Sequence, residues 1–229
     1  MPTSAEIEKA LGRLRTTIAD YGLLLLHDPL LFCATQLIAG APVKGSWWGA
    51  PSGALAYEAF NRLDNDEVAW PKLLGGKLTL VHRRLWPALV AVARSGAPWQ
   101  TRGLEPDSRA LLARLEKAGK LRSDEIELPR GSRKIGVLVT ELEARLLAYC
   151  EQEHTGSGHH ARLVVPYAVW QRQKRIFART LPPLETAIED LSEAAVRSLG
   201  ERALGRFLPW QEARKARPRA RTGVRSRLR

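Results

Sequence analysis

Cysteine is scarce. Only Cys33 and Cys150 occur, far apart and in no C-x-x-C pair, so a disulfide framework is excluded and two free thiols in a reducing cytosol are expected. Long apolar runs are missing too. Nothing approaches the ~18–20 residues that span a bilayer, so no membrane partner is expected. The stretch MPTSAEIEK lacks a basic region followed by an apolar core, which predicts no signal peptide and a cytoplasmic location. No G-x-x-x-x-G-K-[ST] loop exists: Gly75 and Gly76 precede Lys77, but a β-prone run follows where a phosphate loop needs a helix. His82, Arg83 and Arg84 read as a solvated basic edge. The carboxylates Asp64 to Glu67 have no histidine or basic partner at a defined spacing, so paired-acid chemistry has no anchor. No cofactor is expected.

What is present is apolar, aromatic and basic. With 229 residues, 45% of them hydrophobic, and seven tryptophans, the chain is long enough for two linked modules with buried cores. Its net charge of +12 is uneven: Gln211 to Arg229 holds seven arginines and one lysine against Glu212 alone, +7 of the total. The rest is only mildly basic. Such a tail has almost nothing to bury, reads as disordered, and can bind polyanions by releasing counterions.

Ser4 to Tyr21 reads as an amphipathic helix capped by Ser4, with Ile7, Leu11, Leu14 and Ile18 at intervals of three and four. Gly22 and Pro29 break it. A glycine- and tryptophan-rich loop precedes a helix from Ala54 to Leu63, a strand from Lys77 to His82 and a helix near Trp86 to Arg94. Residues 1–100 are thus an α+β module, itself winged-helix-like in character. The expected class for the whole chain is α+β, mainly helical, with a winged helix at 104–170.

That second module rests on an order of elements. EPDSRALLARLEKAGKL is a helix capped by Asp107 or Ser108 and stopped at Gly119. SRKIGVLVTELEARLLAY is another, capped by Ser132, with Ile135, Leu138, Val139, Leu142 and Leu146 in a stripe. A short helix is expected between them, and a β-hairpin turning at Gly156 and Gly158 follows. Helix, short helix, helix and hairpin make a winged helix, which lays its last helix on DNA and its hairpin on the adjacent backbone. Arg133 and Lys134 open that helix and suit a phosphate. Glu141 and Glu143 oppose them if they face the same way. A helical pair at 171–209 then carries Leu184, Ile188, Leu191, Ala195, Leu199 and Leu204 in a stripe; it packs on the winged helix or mediates dimerisation.

Two stretches carry the versatile side chains. EHTGSGHHAR brings His154, His159 and His160 within seven residues, near Cys150. Adjacent His159 and His160 point to opposite faces of a strand, which argues against a shared metal ion. A hairpin tip fits better, with His154, His159 and Arg162 as polar groups within reach of phosphate. In KGSWWGAPSG, Trp47 and Trp48 between glycines either fill a core or offer a stacking surface for a base, with Lys44 nearby. Packing is the favoured reading.

GSWWGAPSG, KLLGGKLTLVHRRLWPAL, ELEARLLAY and HTGSGHHARLVVPYAVW together resemble bacterial winged-helix proteins distantly similar to the AlkZ-like DNA glycosylase family, over roughly Tyr21 to Trp170. The resemblance implies winged helices and association with nucleic acid. That family also has a β-barrel and a glutamine pair around an apolar residue. Here Gln171 and Gln173 flank Arg172, and no segment reads as a barrel. The expected function is therefore DNA binding through Arg133, Lys134, His154, His159, Arg162 and the tail residues Arg214, Lys215, Arg217, Arg219 and Arg221. A glycosylase-like repair hydrolase holding a base at Trp47 and Trp48 is one alternative. A protein-interaction or ribosome-associated factor, with a protein partner or a second copy, is the other.

Overall fold

Ile7, Leu11, Leu14 and Ile18 fall on one stripe, and helix α1 (Ser4–Tyr21) buries all four. The computed structural model describes residues 1–154, 160–200 and 208–211. Thr3, not Ser4, caps α1: its hydroxyl accepts from the Glu6 amide while Glu6 accepts from the Thr3 amide, a reciprocal capping box. Gly22 ends the helix in the left-handed region at φ 84°. Helices α2 (Ala34–Ala39) and α3 (Gly53–Asn61) pack against α1, and Leu14 and Ile18 lie at their contact. Burying each of these side chains contributes about 1.5–3 kcal/mol.

The first sheet is antiparallel. Strand β4 (Lys77–His82) pairs on one side with β1 (Leu23–Leu25) and on the other with β2 (Val68–Ala69) and β3 (Lys72–Leu74). Gly75 and Gly76, at φ 59° and 69°, form the two-residue turn between β3 and β4. Two successive positive φ angles match the twist of a tight hairpin, so this diglycine builds a turn. Helix α4 (Trp86–Ala93) follows β4 after a 3₁₀ turn at Arg83–Leu85.

The second unit begins after the short helix α5 (Pro98–Thr101). Helix α6 (Pro106–Ala118) starts with Pro106 in its first turn and no side-chain cap; Asp107 and Ser108 serve elsewhere. Strand β5 (Leu121–Arg122), helix α7 (Ile135–Ala144) and the hairpin strands β6 (Tyr149–His154) and β7 (His160–Val165) complete it, in sheet order β5-β7-β6. No helix forms between α6 and α7. Residues 123–134 run as turns and extended chain, with Ile126 and Leu128 tucked against the Leu115, Leu138 and Leu142 cluster. Pro129 and Gly131 punctuate the segment, and the Ser132 amide closes a turn onto the Pro129 carbonyl. Ser132 therefore does not cap α7, which Lys134 precedes without a side-chain cap.

The C-terminal part joins the N-terminal core. Helix α8 (Tyr167–Gln173) is short: Arg175 takes φ 54° and turns Ile176 back to the Gln171 carbonyl. Helix α9 (Leu184–Leu199) lays Ala187, Leu191, Ala194 and Ala195 on α4 and β1. Small residues let the backbones approach closely there. One core thus runs from Leu23 and Leu25 through Trp86 and Leu89 to Tyr149, Trp170, Leu191 and Trp210. Leu204 lies outside the described residues. The architecture is α+β with small antiparallel sheets. No described helix is long and apolar enough to cross a membrane.

Candidate nucleic-acid interface

The approach to α7 holds the first predicted contacts. Asp107, in the first turn of α6, accepts the Arg133 backbone amide at 3.1 Å and fixes the chain just before α7. The Arg133 guanidinium lies 3.4 Å from Glu141, which also accepts from the Ser108 hydroxyl at 2.7 Å and faces Arg145 at 3.6 Å. Arg133 is thus partly neutralised in place. Arg130 and Lys134 are exposed and have no ion-pair partner among the described residues. Arg145 is committed inward: its guanidinium donates to the carbonyls of Trp99, Gln100, Arg102 and Gly103 and clamps the end of α5.

Glu143 is the unexpected centre. It lies on the buried face of α7, 4% exposed, and its carboxylate sits 2.7 Å from the Lys72 ammonium on β3 and 3.5 Å from the Arg162 guanidinium on β7. Lys72 also donates to the Thr140 hydroxyl at 2.9 Å. Two carboxylates that would repel a phosphate are therefore both paired. The same pairing occupies Arg133 and Arg162, the two arginines predicted to hold that phosphate. Arg133 and Arg162 remain nearly half exposed, while their partners Glu141 and Glu143 are only 18% and 6% exposed.

Beside this triad, burial pushes the Cys150 thiol well above a free cysteine, and the nearby Glu143 charge adds to the rise. The thiol stays protonated and inert, as a packed cysteine should. Burial likewise raises Tyr149, whose hydroxyl accepts the Trp70 amide at 3.0 Å and joins the second unit to the first. The strand register pairs His154 with His160. The side chain of His154 and the whole of His159 lie outside the described residues, as do Arg214, Lys215, Arg217, Arg219 and Arg221.

Trp47 and Trp48 divide between the two readings made of them. They occupy a 3₁₀ turn at Trp47–Gly49, stacked at 4.0 Å and 26°. Trp47 packs edge-on to Phe60 and joins the core, whereas Trp48 is 61% exposed. The glutamine pair does not converge. Gln171 is buried and engaged at both ends, its Oε1 accepting from Arg94 and its Nε2 donating to the Ile176 carbonyl, while Gln173 is exposed.

No family model, curated protein or solved structure matches the chain.

A further basic surface was missed in the sequence. At the end of α8, Arg172, Arg175 and Arg179 are exposed around Phe177, and the Arg179 guanidinium sits 5.2 Å from that ring. Lys174 pairs with Asp66 at 2.8 Å and holds its carboxyl below the usual range. The signal was the run QRQKRIFAR, with four cations in nine residues.

Proposed function

We propose that the chain binds DNA in the manner of a winged-helix protein, mainly through phosphate. The basic C-terminal segment supplies most of the attraction, Arg130 and Lys134 before α7 supply a fixed point, and Arg133 and Arg162 exchange their carboxylate partners for phosphate oxygens. The observation that carries the reading is the distribution of charge: +7 of the net +12 lies in Gln211 to Arg229, and Arg130 and Lys134, just before α7, have no ion-pair partner among the described residues. Phosphate neutralisation of this kind releases counterions, and the affinity falls with salt by a slope of about 0.9 per phosphate.

The α6, α7 and β5-β7-β6 arrangement supports a winged-helix-like docking, although the hairpin meets α7 near its C-terminal end, where Arg162 of β7 faces Glu143. Extended chain replaces the short helix at 123–134, which leaves α7 less deeply framed. Contacts to phosphate alone carry no sequence information, so the chain should show weak sequence preference. The test is anisotropy of a labelled random-sequence duplex with the full chain at rising salt. Steep loss of affinity is expected. Salt-independent binding, or none at low salt, would reject the proposal.

A further inference from the structure

Resting on the nucleic-acid reading, we propose that the Trp47–Trp48 turn is a stacking platform for an unpaired base of a single strand, a site distinct from the duplex contacts around α7. Trp48 presents its ring to solvent, 61% exposed, with Tyr57 tilted beside it at 5.4 Å. An exposed tryptophan stacked on a second one is an apolar surface that needs an explanation. Core packing explains Trp47, which meets Phe60 edge-on at 5.5 Å, and Phe60 in turn meets Trp70. It does not explain Trp48.

The turn is held rigid before any ligand arrives. The Ala50 amide donates to the Trp47 carbonyl and the Gly53 amide to the Ala50 carbonyl. A Cβ at position 53 would stand 2.7 Å from both the Trp47 and Trp48 carbonyl oxygens, so the start of α3 is pressed directly under the turn. On the other side, the His27 ring bridges the Gly45 carbonyl at 2.9 Å and the Thr35 hydroxyl at 2.8 Å. A preformed platform loses little freedom on binding, which is what a stacking site requires.

Beside the turn lies an open groove of about 530 Å³, lined by Pro42, Val43, Lys44, Ser46, Pro51 and Ser52 among others. That volume is within the range of small-ligand sites. The lining includes one cation and two hydroxyls but no carboxylate. Lys44 is exposed and has no ion-pair partner among the described residues. No aromatic ring lines this groove, which meets the tryptophan turn through Gly49 and Ala50; a strand whose base stacks on Trp48 could run its sugar-phosphate along the groove's cation and hydroxyls, and the net positive charge of the chain favours that anionic occupant over a neutral one.

The test compares the full wild-type chain with Trp48→Ala and Trp48→Phe. Trp48 is exposed, so truncating it leaves the core intact, and circular dichroism verifies folding. Each protein is titrated with three labelled probes of equal length: a thymine single strand, a strand of abasic sugar-phosphates, and a duplex. Trp48→Ala should weaken thymine-strand binding by about fivefold to a hundredfold. Trp48→Phe should retain most of it, and neither the abasic strand nor the duplex should change by more than about twofold. Equal loss on the thymine and abasic strands, or no loss on either, overturns the platform while leaving duplex binding standing. Capture of a proline-rich peptide by the wild type, abolished in Trp48→Ala while the thymine strand is unaffected, also overturns it. Failure of the wild type to bind any of the three probes removes the nucleic-acid reading and this one with it.

Discussion

Replacing Lys72 by alanine should destabilise the fold by about 3 kcal/mol, because it leaves the Glu143 carboxylate buried without its main counter-charge. At 2.7 Å and an effective dielectric near 20, the direct attraction between Lys72 and Glu143 is about 6 kcal/mol. Desolvating the two ions cancels much of that, each costing several kcal/mol. Removing one partner forfeits the attraction and keeps half the cost, typically 3–5 kcal/mol. The low end applies because Arg162, 3.5 Å away and 41% exposed, still faces Glu143 through partly screening solvent. The assay is equilibrium urea unfolding followed by tryptophan fluorescence. With a slope of about 3 kcal/mol/M, the midpoint should fall by about 1 M. The double change Lys72→Met with Glu143→Leu removes both charges and should recover at least half of the loss. A single variant within about 1 kcal/mol of wild type, or a double variant no better than the single, would refute the reasoning.

Two further outcomes follow from the site chemistry. Burial raises the Asp28 carboxyl, but the Lys77 ammonium at 2.5 Å and the Leu30 and Leu31 amides outweigh it and hold the group below the usual aspartate range. A depressed folded value means that the stabilisation is complete above the unfolded pKa of about 3.9 and is lost as pH falls through the folded value. Asp28→Asn should therefore be less stable than wild type at neutral pH, with the gap closing in acid below about pH 4; a gap that widens in acid would contradict this. Cys150, its thiol raised by burial and by Glu143, and fully buried Cys33 should both resist iodoacetamide at pH 8 in the folded protein and react in denaturant. Alkylation of Cys150 in the native state at the rate of a free thiol would show the site to be open.

Elements with local signals were legible in the sequence. The stripe Ile7, Leu11, Leu14 and Ile18 predicts α1 with its observed bounds, and the runs from Lys77 and Trp86 predict β4 and α4. Elements shaped by distant partners were not. Leu23, Leu24 and Leu25 form a strand buried on both faces, so no alternation of apolar and polar residues marks it. The apolar pattern of α8 continues past Gln173, but Lys174 reaches across to Asp66, and the chain turns at Arg175. Helix α9 packs on α4, a choice between partners that its own stripe does not encode.

The candidate site was legible by residue type and not by geometry. Arg133, Lys134 and Arg162 were visible as cations, but the acids that engage two of them came from sequence separations with no motif. Glu143 did carry a signal: four residues after Val139 and next to Leu142, it sits on the stripe that α7 buries. A carboxylate in such a position needs a buried partner, and Lys72 is that partner.

The central claim, that basic residues bind DNA by neutralising phosphate, is tested most directly by duplex affinity between 50 and 200 mM salt for the full chain and for a chain ending at Gln211. Trp210, whose ring is buried in the main core, is kept in both. Removing seven arginines and one lysine should weaken binding and flatten the salt dependence, by about 4 in slope if half of these cations each neutralise a phosphate. Equal slopes for the two chains, or no duplex binding by either at 50 mM salt, would contradict the account.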